Sequence, residues 1–171
     1  EEGYSNSPWV KIFGDNSFIK YAFQFAKKYA IKGCKLYYND YNEYISGKTQ
    51  AIIKMVKDLN SNEQLIDGIG LQSHLDVQYP SPSDYETAVK AFSEVGVDLQ
   101  VTELYATVSN NSAESFKTQA KYYADIFKIL VKYSESISSV VVWGTLDSTS
   151  WRASQYPLLF NGDYTAKEAL Y

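Results

Sequence analysis

VDLQVTELYATV, residues 97–108, decides how this chain is expected to fold. Val97, Leu99 and Val101 recur at every second residue, so they share one face of a β-strand. Glu103 falls next on that same face by the same count. An unpartnered carboxylate buried there costs on the order of several kcal/mol. Either the strand ends at solvent or Glu103 has a task.

Three further runs look like buried parallel strands: KLYYND (35–40), DGIGLQS (67–73) and SVVVWGT (139–145), joining DLQVTEL (98–104). Helical segments follow the first three. SGKTQAIIKMVKDLN begins on a Ser cap and carries Ile52, Ile53, Val56 and Leu59 at helical spacing. SPSDYETAVKAFSEVG has Pro82 early and Gly96 at its stop. SAESFKTQAKYYADIFKILVKYSES places Phe116, Ala120, Tyr123, Phe127 and Leu130 along one side. DNSFIKYAFQFAKKYA, ahead of the first strand, reads as an amphipathic helix ending at Gly33. Successive strand ends lie 33 (40 to 73), 30 (73 to 103) and 41 (103 to 144) residues apart, which are β/α repeat lengths with right-handed crossovers.

Two α/β architectures fit this pattern: a doubly wound open sheet and a β/α barrel. A full barrel takes eight units and roughly 250 residues. A chain of 171 residues with one leading helix and about four strands is then half a barrel, in one domain, with both ends expected to be cut relative to the complete fold.

Composition narrows the function. A net charge of -4 offers no basic field for nucleic acid or an anionic membrane. No apolar run approaches the ~20 residues of a membrane helix, and EEGYSNSPW lacks the pattern of a signal peptide. The single cysteine, Cys34, excludes an internal disulfide and reads as a small buried apolar group. Aromatic content is high at 16%, with 16 Tyr and 3 Trp, which raises the prior for a surface that stacks on sugar rings.

In parallel β/α proteins chemistry collects at the carboxyl ends of the strands. Here those ends carry Asn39, Asp40 and Tyr41, then Gln72 and His74, then Glu103, then Trp143 with Trp151 beyond it. Taken singly, Asp40 caps a turn, His74 is a satisfied core histidine and Trp143 is core packing; their joint placement at one edge favours a site. One histidine without a ligand cluster makes a poor metal site. G-x-S-x-G is absent, and GIG is too short to be a phosphate loop. A carboxylate among amides and aromatics suits glycoside hydrolysis, where one carboxylate attacks the anomeric carbon and a second carboxylic acid protonates the leaving oxygen.

The motifs KLYYNDYN, IDGIGLQSHL, VTEL and VVWGTLDSTSWR followed by PLLFNGDY resemble the later part of glycoside hydrolase family 10, and SPWVKIFGDNSFIKYAF is similar to the segment after that family's fourth strand. The family consists mostly of endo-β-1,4-xylanases on a (β/α)8 TIM barrel. The resemblance covers nearly all of residues 1–171 and implies that they form strands 5–8. It implies that Glu103 is the nucleophile of a retaining mechanism and that His74 hydrogen-bonds and orients it. Gln72 matches a glutamine near the acid/base, Trp143 and Trp151 match tryptophans walling the glycone side of the cleft, and Asn39 and Tyr41 belong to the motif lining the fifth strand's end. No cofactor and no metal are implied.

Two positions depart from the family. Tyr105 stands where the family usually has an Asp that orients the histidine, so His74 is expected to find another partner or water. The general acid/base, which ends the family's fourth strand in a WDVVNE-like motif, is not visible. Glu1 and Glu2 lie only a few residues before Ser7-Pro8-Trp9, too close for the family's loop. The expected object is therefore this chain docked with the N-terminal half of the same catalytic domain, acting on xylan or xylo-oligosaccharides and inactive alone. The alternatives are a non-catalytic xylan-binding segment and a β/α glycosidase acting on another β-glycan. A polysaccharide too large to enter a cell points to secretion.

Overall fold

The computed structural model describes residues 7–171. Helix α1 (Pro8–Phe13) starts on Ser7, whose side chain accepts the Val10 amide, and helix α2 spans Ser17–Tyr29. Strand β1 (Tyr37–Asp40) leads to α3 (Ser46–Leu59), then β2 (Gly68–Leu71) and β3 (His74–Asp76). Helix α4 (Pro82–Ser93), strand β4 (Asp98–Thr107), helix α5 (Ala113–Lys132) and strand β5 (Ile137–Val142) complete the regular elements. Short 3-10 turns at Asp147–Thr149, Ala153–Gln155 and Glu168–Leu170 organise the rest. No helix among the described residues is long and apolar enough to cross a membrane.

Every strand pairing is parallel: β1 with β2, β2 and β3 with β4, and β4 with β5. β2 and β3 are one line of sheet broken at Gln72 and Ser73. The strands therefore lie side by side in chain order, with no reversal of the kind that marks a doubly wound sheet. The helices agree. Ile52, Met55 and Val56 of α3, Tyr85, Val89 and Phe92 of α4, and Tyr123, Ile126 and Leu130 of α5 all join one core with Ile69, Leu71, Leu99 and Val101. α2 reaches the same core through Ile19. Helices on one side of a sequentially ordered parallel sheet make an arc of a β/α barrel, and the doubly wound alternative falls.

The opposite face of the sheet is polar and partly open. On β1 the alternation puts Tyr37 and Asn39 there, across from Gly68 and Gly70 of β2. The glycines are required by this neighbour: a Cβ on Gly68 would lie 2.1 Å from the Tyr37 ring and 2.7 Å from the Asp98 carbonyl, and one on Gly70 would lie 2.4 Å from Asn39 Oδ1. The GIG motif thus lets two side chains of β1 lie over β2. Tyr37 donates its hydroxyl hydrogen to Asp98, which also accepts from Ser138 at 2.7 Å.

Several sequence expectations are corrected. Cys34 is exposed rather than buried, because it sits in the turn between α2 and β1 and not on the strand. Ser46 does not cap α3. It is the first helical residue, Ile45 is the N-cap, and no side chain caps the start. Ser81 does cap α4, with Pro82 next, and Gly96 takes φ 85° just beyond the helix. The buried side of α5 is Gln119, Tyr122, Tyr123, Ile126, Ile129 and Leu130, so Phe127 is left on the exposed flank. Glu1 and Glu2 lie outside the described residues.

The contact beneath Gly68 gives a direct test. Gly68→Ala is expected to cost about 1–3 kcal/mol by overpacking, read as a fall in the denaturation midpoint. Gly47→Ala in α3, where an added Cβ meets nothing within 4 Å, is the control and is expected to be neutral or stabilising.

Candidate active site

Strand β4 does not keep period two to its end. Leu71 pairs with Val101 and His74 with Tyr105, so two residues of the β2–β3 line face three of β4. On the other side Val101 pairs with Val140 and Leu104 with Val142, so two residues of β4 face one of β5. β4 therefore carries one extra residue at Thr102–Glu103 relative to both neighbours, a β-bulge. Its core positions run Leu99, Val101, then Leu104 and Ala106. The expectation that Glu103 shares the face of Val97, Leu99 and Val101 is overturned: the bulge resets the alternation, Leu104 takes the core position, and Glu103 turns to the open face.

There both carboxylate oxygens are held separately. Asn39 Nδ2 donates to Oε1 at 3.1 Å, and His74 Nε2 lies 3.3 Å from Oε2. Asn39 is itself fixed, because its Oδ1 accepts the Thr102 hydroxyl at 2.7 Å. The glutamate side chain keeps 16% of its surface and the histidine 17%, so the pair is half-buried yet reachable from the open face. Burial holds the His74 imidazole below its ordinary 6.5, against the opposing pull of Glu103. Its Nδ1 is buried with no hydrogen-bonding partner among the described residues. With Nδ1 lacking such a partner, the neutral form that fits this geometry carries its hydrogen on Nε2, facing the carboxylate.

Tyr105 supplies what a carboxylate does not. Its ring stacks on the imidazole at 4.7 Å between centroids and 26° between planes. Trp151 closes the group edge-on to both, at 5.8 Å from His74 and 6.1 Å from Tyr105. The Tyr105 hydroxyl accepts from Arg152, whose guanidinium also lies 4.2 Å from the Trp151 ring centroid. Burial pushes the Tyr105 phenol above its usual range, so it stays neutral.

The loop that presents Trp151 is anchored underneath by a buried ion pair, Asp147 with Lys167 at 2.6 Å. Asp147 also accepts the Leu158 amide at 2.8 Å, and Gln119 of α5 donates to the carbonyls of Ala106 and Tyr156. Trp151 keeps 62% of its surface and Trp143 47%, so both rings are available for stacking.

The structure thus brings together Glu103, His74, Asn39 and Trp151. Tyr41, Gln72 and Trp143 stand at the neighbouring ends of β1, β2 and β5, outside that contacting cluster. Tyr41 is exposed, with Lys48 Nζ 4.3 Å over its ring, and Asp40 pairs with Lys48 at 2.8 Å while capping its own turn through the Tyr41 amide. Thr102 and Arg152 are site members that the sequence reading did not single out. Each is adjacent to a residue it did name, which was the available signal. Among the described residues no group of three His, Cys, Asp or Glu side chains is placed to hold a metal.

Comparison with known proteins gives a consistent picture. The model of glycosyl hydrolase family 10 matches residues 1–171. The chain is similar to the bifunctional endo-1,4-beta-xylanase XylA of Ruminococcus flavefaciens, 52% identical over 169 residues, which is 98% of this chain and 17% of that protein. It superposes on the intracellular xylanase TsXylA of Thermoanaerobacterium saccharolyticum with a TM-score of 0.91 at 34% identity, over 99% of this chain and 52% of that one. It superposes on the CBM22-1–GH10 modules of Clostridium thermocellum xylanase 10B, complexed with xylohexaose, with a TM-score of 0.86 at 38% identity, over 99% of this chain and 35% of that one. The chain therefore spans about half, or less, of the length of these relatives.

The His74 environment is testable by NMR, with its imidazole resonances assigned through their loss in His74→Gln. The ring is expected to titrate below 6.5 in the wild type. Tyr105→Asp, which places a carboxylate beside the ring, is expected to raise that midpoint and shift the acid limb of any pH–rate profile with it. An unchanged midpoint would show that Tyr105 does not set the state of His74.

Proposed function

Because the chain belongs to glycosyl hydrolase family 10, we propose that it supplies the nucleophile side of an endo-1,4-β-xylanase site. The observation that carries this reading is Glu103, turned out of the core by a bulge and held at one oxygen by Asn39 and near the other by His74. A carboxylate fixed in this way pays its desolvation and orientation cost before substrate arrives.

In the proposed reaction Glu103 attacks the anomeric carbon of a β-1,4-linked xylose unit as the glycosidic C–O bond breaks. The departing oxygen takes a proton from a second carboxylic acid. The resulting glycosyl ester is then cleaved by water, which gives its proton to that same group, and Glu103 is released. Two inversions leave the configuration retained. His74, neutral at working pH, stabilises the carboxylate without neutralising it by full proton transfer. Trp151 and Trp143 offer rings for stacking on sugar faces.

A retaining site needs its second carboxyl roughly 5–5.5 Å from the first. We assign that acid/base to the N-terminal half of the same catalytic domain. Among the described residues β1 pairs only with β2 and β5 only with β4, so each has an edge able to accept a further parallel strand. The polar face that holds Tyr37, Asn39 and Thr102 then becomes barrel interior. The size of the polymer favours action outside the cell, and recovery of the protein from culture supernatant tests that separately.

The decisive experiment measures reducing ends released from xylan by the protein that carries this chain. Glu103→Ala is expected to lower the rate by about 10³-fold or more, with xylo-oligosaccharide affinity largely kept. Azide added to that variant with an activated aryl xyloside is expected to give the glycosyl azide of opposite anomeric configuration, because azide replaces the lost nucleophile. Full hydrolysis by Glu103→Ala would overturn the assignment. Binding without any release of sugar by the wild type would instead support a xylan-binding segment.

A further inference from the structure

A second glutamate, not used by the proposed reaction, lies directly behind the site. Glu43 follows β1 in the sequence YNDYNEY, and only 1% of its surface is exposed. Its Oε1 accepts two bonds from one residue: the Ser73 backbone amide at 3.0 Å and the Ser73 hydroxyl at 2.9 Å. That hydroxyl also lies 2.8 Å from the hydroxyl of Tyr85, a fully buried tyrosine of α4. Its Oε2 has no hydrogen-bonding partner among the described residues.

Ser73 is an unusual residue to hold. It is fully buried and adopts φ 55°, the left-handed region that side chains other than glycine rarely enter. Such a conformation costs on the order of 1 kcal/mol or more and persists only where its surroundings over-determine it. Ser73 is also the residue between Gln72 and His74, at the break where β2 gives way to β3. Opposite this break lies the bulge of β4 that turns out Glu103. The direction in which His74 leaves the sheet is therefore set by the Ser73 backbone, and that backbone is pinned by Glu43.

A buried carboxyl is a poor way to fill space. Lys48 acts on it from a distance but is engaged by Asp40 at 2.8 Å. Burial pushes the Glu43 carboxyl up to about 7. Oε1 can accept from Ser73 in either protonation state, with the proton of the acid form on the unpartnered Oε2. An apolar residue would cost less in folding but would leave the Ser73 amide buried and unsatisfied. We propose that Glu43 is a positioning residue of the active site, whose buried carboxyl locks Ser73 in the left-handed turn that aims His74 at Glu103.

The kinetic part of this inference rests on the proposed hydrolysis, and the spectroscopic part does not. In the protein that carries this chain, Glu43→Gln keeps an acceptor for Ser73 and is expected to keep kcat within about threefold of wild type. Glu43→Leu removes the acceptor at similar volume. It is expected to lower kcat about ten- to a hundredfold through displacement of His74, with KM changed less than about threefold. The His74 imidazole resonance is expected to match wild type in Glu43→Gln and to shift or broaden in Glu43→Leu. Glu43→Leu combined with Ser73→Gly covers the case in which the leucine alone fails to fold, because glycine takes φ 55° without side-chain strain but, no longer locked, also visits other conformations; a kcat below wild type and a broadened His74 resonance are expected, both effects smaller than in Glu43→Leu alone. Wild-type kcat and an unshifted His74 resonance in the leucine variants would overturn the proposal. So would a glutamine variant as impaired as the leucine one. A wild type that releases no sugar would refute the functional reading, and the His74 resonance alone would then decide the role of Glu43.

Discussion

One extra residue in β4 controls this structure. A strand with a strict two-residue alternation, paired on both sides, would drive Glu103 into the layer between sheet and helices, where Val101 already lies. The bulge at Thr102–Glu103 shifts the alternation by one, so Leu104 fills the core position and the carboxylate emerges beside Asn39 and His74. The same shift keeps the core continuous, since Leu99, Val101, Leu104 and Ala106 all remain in it. A single local irregularity thus reconciles a buried strand with a usable carboxylate.

The elements around the bulge serve to hold it in register. β1 supplies Asn39, whose amide bridges the Thr102 hydroxyl and the Glu103 carboxylate, the two residues that form the irregularity. β2 supplies glycines so that β1 side chains can lie across it. The break at Ser73 bends the neighbouring strand in answer to the bulge, and Glu43 and Tyr85 hold that break from the helix side. The aromatic wall of Tyr105 and Trp151 comes from the end of β4 and from a loop fixed by Asp147 and Lys167. Each device carries some stability cost: a buried carboxyl, a left-handed serine, an imidazole nitrogen without a partner among the described residues. They gather at the break around Ser73 and His74 that lies opposite the bulge of Glu103, as expected where function outranks stability.

Tyr105 shows how a site tolerates a changed neighbour. In place of a charged partner for the imidazole it offers a stacked ring, with its own hydroxyl bonded to Arg152. Stacking fixes the ring plane but gives no acceptor to Nδ1. The physical consequence is an imidazole whose orientation is kept while its basicity is lowered by burial.

By itself the sequence determined the parallel β/α succession, the strands near residues 35–40, 67–73, 98–104 and 139–145, and the polar residues at their carboxyl ends, because hydrophobic periodicity and glycine placement are local signals. It also determined the family, through motifs that carry His74, Glu103 and Trp151 at the positions where the structure brings them together. Periodicity alone left a doubly wound sheet and a barrel arc open; the family motifs pointed to the barrel, and the helices packed on one side of the sheet bear it out, because that packing is a property of contacts between distant elements. Only the tertiary structure revealed the bulge, since a register shift exists only relative to neighbouring strands. It alone exposed Cys34 and buried Glu43, whose environments depend on a turn and on a partner 30 residues away that no local pattern encodes.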